Sequence, residues 1–386
     1  MIATPLRIAL FSGNYNYVRD GANQALNRLV GYLLRQGVQV RIYSPTTDTP
    51  DFPPTGDLVS VASLPLPFGR GEYRLARGLT AAARADLALF APDIVHVSAP
   101  DLLGHGALKW AQKRGIPVLA SMHTRFETYP RYYGLGFLEP AVEAMLRRFY
   151  RRCDAVVAPS PSMADVMRAQ GMSDNIGIWA RGIDTSIFNP DQRDLAWRRG
   201  LGIADAEPVI GFLGRLVMEK GLDVFADSID ALRARGVAHR VLVIGEGPAR
   251  DWFADRLKDG VFVGFQSGAN LGRAVASMDM LFNPSITETF GNVTLETMAC
   301  GIPVIAARAT GSESLVADGV TGRLVTPGDV AGYAEALAAY CSDASLRQNH
   351  GAAGAQASSA YDWDAVNQAV LDQYHRLSPA RSPAHG

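Results

Sequence analysis

Val209-Ile-Gly-Phe-Leu213 leads into Gly214-Arg215-Leu216-Val217-Met218-Glu219-Lys220-Gly221, and Leu222 then opens a stretch that runs to Arg235. The first five residues are an apolar run. In the last stretch Leu222, Phe225, Ile229 and Leu232 share one helical face, and Gly236 ends the period. Apolar strand, polar loop and amphipathic helix in that order predict a βαβ unit, because a strand covered on both faces has no polar alternation.

The same alternation continues on either side. Downstream, Arg240–Ile244, Val261–Val263, Met280–Asn283 and Val304–Ala306 read as further buried strands, and upstream so do Leu6–Phe11, Val38–Tyr43, Ile94–Val97, Val118–Met122 and Ala155–Ala158. Two such series in 386 residues predict two α/β domains with parallel sheets. Asn189-Pro190-Asp191 and the polar Gln192, Arg193 and Asp194 place a linker at roughly 185–200. The domains expected are then 1–190 and 191–362. Trp363, Val366, Val370 and Tyr374 recur at helical spacing over 363–377, a last helix with the option of crossing back to the first domain. The tail Ser378–Gly386 is expected to be disordered.

Composition bounds the function. The chain is 48% hydrophobic and 19% charged, as a folded soluble protein is. No run reaches the roughly 18–20 apolar residues of a membrane span. Leu6–Phe11 is too short for a signal peptide. Cys153, Cys300 and Cys341 lie far apart, which favours neither a disulfide framework nor a zinc site. A cytoplasmic address is expected. The net charge of -1 divides unevenly, with 20 Lys/Arg against 15 Asp/Glu in 1–190 and 17 against 23 in 191–386. The basic half hints at an anionic partner.

Ligands of open parallel sheets bind beyond the carboxyl ends of the strands, so the residues that follow the strands are the candidates. Arg215 and Lys220 lie in a strand-to-helix loop near a helix N-terminus, where two cations and the helix dipole suit a pyrophosphate. Fixed cations there would favour a departing diphosphate as its charge grows. A solvated loop with ordinary surface charges is the alternative. Glu288 and Glu296 flank Gly291 and Asn292 after Met280–Asn283. With 11 Glu in the chain, roughly 0.3 pairs at this spacing arise by chance, so position carries the argument and spacing does not. A carboxylate so placed can hold paired sugar hydroxyls, or simply complement a helix start.

His123 closes Val118–Met122 and could donate to a sugar hydroxyl or leaving-group oxygen, although a lone histidine is often structural. Gly13 and Gly21 flank the first strand–helix loop, and Gly245-Glu246-Gly247-Pro248 ends a strand of the second half. Both suit either close approach of a ligand or a plain turn. In Pro140–Cys153, one helix face carries Val142, Met145, Leu146, Phe149 and Tyr150, and the other Arg147, Arg148, Arg151 and Arg152. Such a helix lies on an anionic membrane or packs on a core with its basic face in water.

Together these stretches resemble the retaining glycosyltransferases of family 4. The carriers are Gly214-Arg215-Leu216 with Glu219-Lys220-Gly221, and Glu288-Thr-Phe-Gly-Asn-Val-Thr-Leu-Glu296-Thr-Met-Ala-Cys-Gly301-Ile-Pro303-Val304. Gly182-Ile-Asp184, Phe188-Asn-Pro190, Gly245–Pro248 and Gly319-Val-Thr-Gly322 add to them over about residues 6–375. The resemblance implies the GT-B fold, two Rossmann-like α/β domains whose parallel sheets face each other across a cleft. The N-terminal domain would take the acceptor and the C-terminal one the nucleotide-sugar donor. It also implies roles: Arg215 and Lys220 at the diphosphate, Glu296 at the ribose, Glu288 at the donor sugar, His123 beside the transferred sugar, and Gly21 facing the diphosphate. No metal or other cofactor is expected, and transfer would proceed on the front face.

Asn14-Tyr-Asn-Tyr17 with Gly21, and the stretch from His123 through Tyr129 and Arg131 to Tyr133, look most like the branch of GDP-mannose-dependent α-mannosyltransferases and sulfoquinovosyltransferases. The resemblance thus implies mannosyl transfer from GDP-mannose to a lipid-linked or saccharide hydroxyl, with peripheral contact to the inner face of the cell membrane and no nucleic-acid partner. The alternatives are a UDP-sugar-dependent glucosyl or glucuronosyl transferase, a GT-B nucleotide-sugar epimerase and a non-catalytic nucleotide-sugar-binding protein. One departure is Ala309-Thr310-Gly311-Ser312-Glu313, where relatives often carry two adjacent glycines.

Overall fold

The computed structural model describes residues 5–18, 20–65, 73–128 and 136–378. Tyr129, Arg131, Tyr133 and the tail 379–386, on which expectations were placed above, lie outside the described residues. The chain forms two compact units. Unit one is Met1–Arg181 with Trp363–Gly386, and unit two is Gly182–Asp362.

The strands of unit one are β1 (Arg7–Phe11), β2 (Gln39–Ser44), β3 (Asp57–Ser60), β4 (Ser63–Pro65), β5 (Arg74–Ala76), β6 (Ile94–Val97), β7 (Val118–Ser121), β8 (Ala155–Ala158) and β9 (Ile176–Ile178). They form a parallel sheet of order β3-β2-β1-β6-β7-β8-β9, with β4 and β5 as a separate antiparallel pair. Both faces of this sheet are covered, so its central strands are buried and largely apolar, with His96 of β6 and Ser121 of β7 as buried polar exceptions bonded to each other. Ala9 and Phe11 of β1 enter one core with Leu103, Leu108 and Phe149. Ile8 and Leu10 enter the other with Leu26, Leu29 and Tyr374. The second core joins the helices Gly21–Arg35 and Trp363–Leu377, so the last helix is part of unit one.

Unit two contains β10 (Val209–Leu213), β11 (Arg240–Ile244), β12 (Val261–Phe262), β13 (Met280–Asn283), β14 (Val304–Ala307) and β15 (Gly322–Val325), in the order β12-β11-β10-β13-β14-β15. This is a doubly wound sheet whose order reverses between β10 and β13. Phe212, Phe225, Phe253, Phe282 and Tyr333 fill the core on one face.

The chain passes between units at Arg181 and Asp362, where the sequence reading places the boundary at 190. The stretch 185–200 is no linker. Ile183 N–H donates to Tyr361 O (2.8 Å), which ties both crossing segments into unit two. Arg193 donates to Met278 O and to Asp279 (2.6 Å each), and the wholly buried Arg198 also donates to Asp279 (3.0 Å). Charges that look solvated in sequence are partnered by a residue eighty positions away. The strands β3, β9 and β15 escape the sequence reading because they are short edge strands without a continuous apolar run.

Candidate active site

In unit two the loops that leave β10 and β13 meet where the strand order reverses. The β10 loop ends in a single turn, Met218–Lys220. Gly221 then starts the helix Leu222–Ala234. Pro284 O lies 3.2 Å from where a Cβ on Gly221 would sit, and Thr287 Oγ1 donates to Glu219 O (3.4 Å). This close backbone approach brings Lys220 Nζ to Glu288 Oε1, at 2.5 Å. Arg215, in the same β10 loop, is exposed and forms no ion pair among the described residues.

Gly291 takes the left-handed conformation (φ 97°) and turns the β13 loop into the helix Asn292–Ala299. Glu296 stands just over one turn along it. Burial, and next the charge of Glu288, push the Glu296 carboxyl from the ordinary 4.5 up to about 8, although part of its surface stays accessible. The helices beginning after Gly221, Gly291 and Gly311 have no side-chain cap, whereas Asp20, Thr80, Asp101 and Ser160 cap helices of unit one. The uncapped starts of the first two helices, in the loops that carry Lys220 and Glu288, make this rim of the sheet receptive to an anion.

Ala309–Glu313 closes over the same loop. Thr310 Oγ1 donates to Glu288 O (2.8 Å), and a Cβ on Gly311 would lie 2.9 Å from Phe290 O. The glycine that remains in this stretch is thus the one the packing requires.

Gly245-Glu246-Gly247 has a supporting role. Gly214 N–H donates to Ile244 O (3.0 Å) and Leu216 N–H to Glu246 O (2.9 Å), so this turn braces the Arg215 loop. The Glu246 side chain is exposed, with Arg250 at 3.6 Å, and does not join the Lys220–Glu288 pair.

In unit one, Gly13 follows β1 and packs on Asp101, whose Oδ2 would lie 2.5 Å from a Cβ there. Asp101 caps the helix Leu102–Gln112 through Gly104 N–H (2.7 Å), and burial raises its carboxyl pKa. Gly21 is the exposed first residue of the helix Gly21–Arg35, which Asp20 caps. His123 follows β7, and its Nδ1 accepts from Arg181 Nη2 (2.8 Å). Burial first, then Arg181 and His96, hold His123 well below the usual histidine range. Its Nε2 edge is covered by protein. Arg181 and Trp179 were not found from sequence. Arg181 directly precedes the quoted Gly182-Ile-Asp184, but no pattern there marks an arginine as buried.

The basic helix spans Glu139–Tyr150. Leu146, Phe149 and Tyr150 are buried, while Met145, expected on the core face, is half exposed because the packed face is narrower than the apolar stripe. Arg147 pairs with Glu143 (3.6 Å) and Arg152 donates to Gln112 (2.7 Å). That leaves Arg148 and Arg151 exposed at the end of the helix, while Phe137, upstream of its start, is an exposed aromatic.

Residues 19–187 match Glycosyltransferase Family 4, and residues 207–343 match Glycosyl transferases group 1. The chain is 32% identical to a GDP-mannose-dependent alpha-mannosyltransferase of Mycolicibacterium smegmatis, over 98% of this chain and 99% of that protein. It is 30% identical to a sulfoquinovosyl transferase of Arabidopsis thaliana, over 97% of this chain and 74% of that one. Its fold is similar to that of a sucrose-phosphate synthase from Thermosynechococcus elongatus (TM-score 0.79, 21% identity, 97% of this chain and 100% of the other). The chain therefore belongs to the family 4, group 1 glycosyltransferases of the GT-B fold, and it is a hexosyltransferase.

Proposed function

We propose that the protein transfers a mannosyl unit, with retention, from GDP-mannose to a hydroxyl of a lipid-linked or saccharide acceptor. The observation that carries this reading is the ion pair of Lys220 with Glu288 at the reversal between β10 and β13, with Glu296 in their field. An ammonium has three N–H donors, so Lys220 can keep Glu288 and still bind a phosphate oxygen. Arg215, exposed in the same loop, takes the other phosphate. Two fixed cations at the leaving group replace the work of a metal, and the reaction needs none.

In the transfer step the bond from the sugar C1 to the phosphate oxygen breaks, and the acceptor oxygen forms the new bond on the same face. The departing phosphate oxygen takes the acceptor's proton. Glu288 orients the sugar, and Glu296, held partly protonated near pH 7, both donates to and accepts from the ribose hydroxyls. His123 donates to the transferred sugar, which requires its Nε2 edge to be uncovered when the donor enters. The exposed Arg148 and Arg151, on a helix preceded in the chain by the exposed Phe137, suit a surface carrying anionic lipid, which favours the lipid-linked acceptor. The mannosyl choice is supported by the near full-length similarity to the Mycolicibacterium enzyme.

The test is turnover with GDP-mannose or UDP-glucose as donor, and with a lipid extract in anionic vesicles or free saccharides as acceptor. GDP-mannose should be preferred. EDTA should leave the rate within about two-fold, and Lys220→Ala should lower kcat/KM by roughly 100- to 1,000-fold with the fold retained. Preference for the UDP-sugar, or near-normal activity of the variant, would overturn the reading.

A further inference from the structure

Arg181 is a buried cation with an unusual assignment. It is 6% exposed, and its Nη1 donates to the carbonyl oxygens of Trp179 and Ala180 (3.1 Å each). Its guanidinium lies 5.2 Å from the Trp179 ring centroid, and the His123 ring meets the same indole edge-on at 5.3 Å. The indole is itself fixed, with Nε1 donating to Asn367 Oδ1 (3.2 Å) on the helix Trp363–Leu377. Both donor and acceptor of the Arg181–His123 bond are thus clamped on one aromatic plate.

A guanidinium has N–H donors only and stays protonated at neutral pH. The nitrogen it bonds must present a lone pair, so the bond at 2.8 Å requires His123 Nδ1 to be bare and its proton to sit on Nε2. Among the described residues, the charged and titratable groups acting on His123 are Arg181 and His96. His96 is itself neutral, bonded to Tyr374 and Ser121, with its pKa lowered by burial to about 3. Asp20 acts on Arg181, which burial lowers to about 10 and which remains a cation. A buried cation is costly, and a neutral amide could hold these backbone carbonyls through its N–H groups without that cost. What the cation adds is a donor that can never become an acceptor.

We propose that Arg181 is a positioning residue that locks His123 as the neutral tautomer carrying its proton on Nε2, the form the glycosyl transfer uses. The second clause rests on the reading of His123 as a donor to the transferred sugar, and the first does not.

The test is two-bond 1H–15N correlation of protein labelled with [15N]histidine at pH 7, with His123 assigned by its loss in His123→Gln. In the unsubstituted protein His123 should give the pattern of a neutral ring protonated on Nε2. In Arg181→Met the pattern should shift towards the other tautomer or the imidazolium, and in Arg181→Lys, which keeps one charged donor, it should be largely restored. Turnover should follow: kcat down more than ten-fold in Arg181→Met, donor KM within about three-fold, and partial recovery in Arg181→Lys. A proton on Nδ1 in the unsubstituted protein, or an unchanged pattern in a folded Arg181→Met, would overturn the lock. Normal kcat in His123→Gln would overturn the reading of His123 and leave the lock standing. The first result is available even if Arg181→Met does not fold.

Discussion

Glu296 shows what a single residue's surroundings do to its chemistry. Its folded-state pKa of about 8 lies above the ordinary 4.5. Between these values the folded chain holds a proton that the unfolded chain has released, so this group's contribution to stability falls as pH rises from about 4.5 to 8. Glu296→Gln removes the titration. Its unfolding midpoint should therefore decline less between pH 5 and pH 8 than that of the unsubstituted protein, measured by urea denaturation at matched ionic strength. Parallel declines would show that Glu296 ionises normally. Sequence could name Glu288 and Glu296 but could not distinguish them. Lys220, 68 residues away from Glu288, pairs with one and leaves the other to burial.

At the scale of elements, the site is an arrangement of loops that brace one another. The β11 turn holds the β10 loop, and there is no space between them. Gly245 has φ 140°, and a Cβ would lie 1.9 Å from Gly214 O. Gly236, which ends the helix Leu222–Ala234, also has positive φ (69°) but nothing within 4 Å of its added Cβ. Gly236→Ala should thus cost about 1 kcal/mol, the conformational term alone. Gly245→Ala should cost more than ~3 kcal/mol, because backbone must move, and should carry donor affinity down with it. Urea unfolding and donor titration of the two variants check the contrast. Equal effects would mean that the two loops are not rigidly coupled. The glycines were visible in sequence, but a turn and a ligand cradle read alike there until the neighbouring loop was in place. The apolar strands β1, β6, β10 and β13 were legible for the opposite reason: burial on both faces leaves a signature in one short run.

For the whole molecule, the last helix decides how the chain is divided. Val370, Leu371 and Tyr374 complete the core of unit one, Tyr374 bonds His96, and Asn367 bonds Trp179. Removing residues 363–386 should therefore abolish the folding of unit one and leave unit two, which shares none of those contacts, with its own unfolding transition. Calorimetry would show one transition lost, and limited proteolysis would spare a fragment near 182–362. Two surviving transitions would mean that unit one does not need the helix. The sequence alone determined the pattern that demands two doubly wound sheets, the loops in which Arg215, Lys220 and Glu288 lie, the helix start that carries Glu296, and the helical period of 363–377, because each is written within about fifteen consecutive residues. Tertiary structure decided the Lys220–Glu288 pair, the raised carboxyl of Glu296, the anchoring of 185–200 on Asp279, and the bond from Arg181 to His123. Each of these depends on groups distant in sequence being desolvated together, and desolvation is a property of the folded packing that no local pattern records.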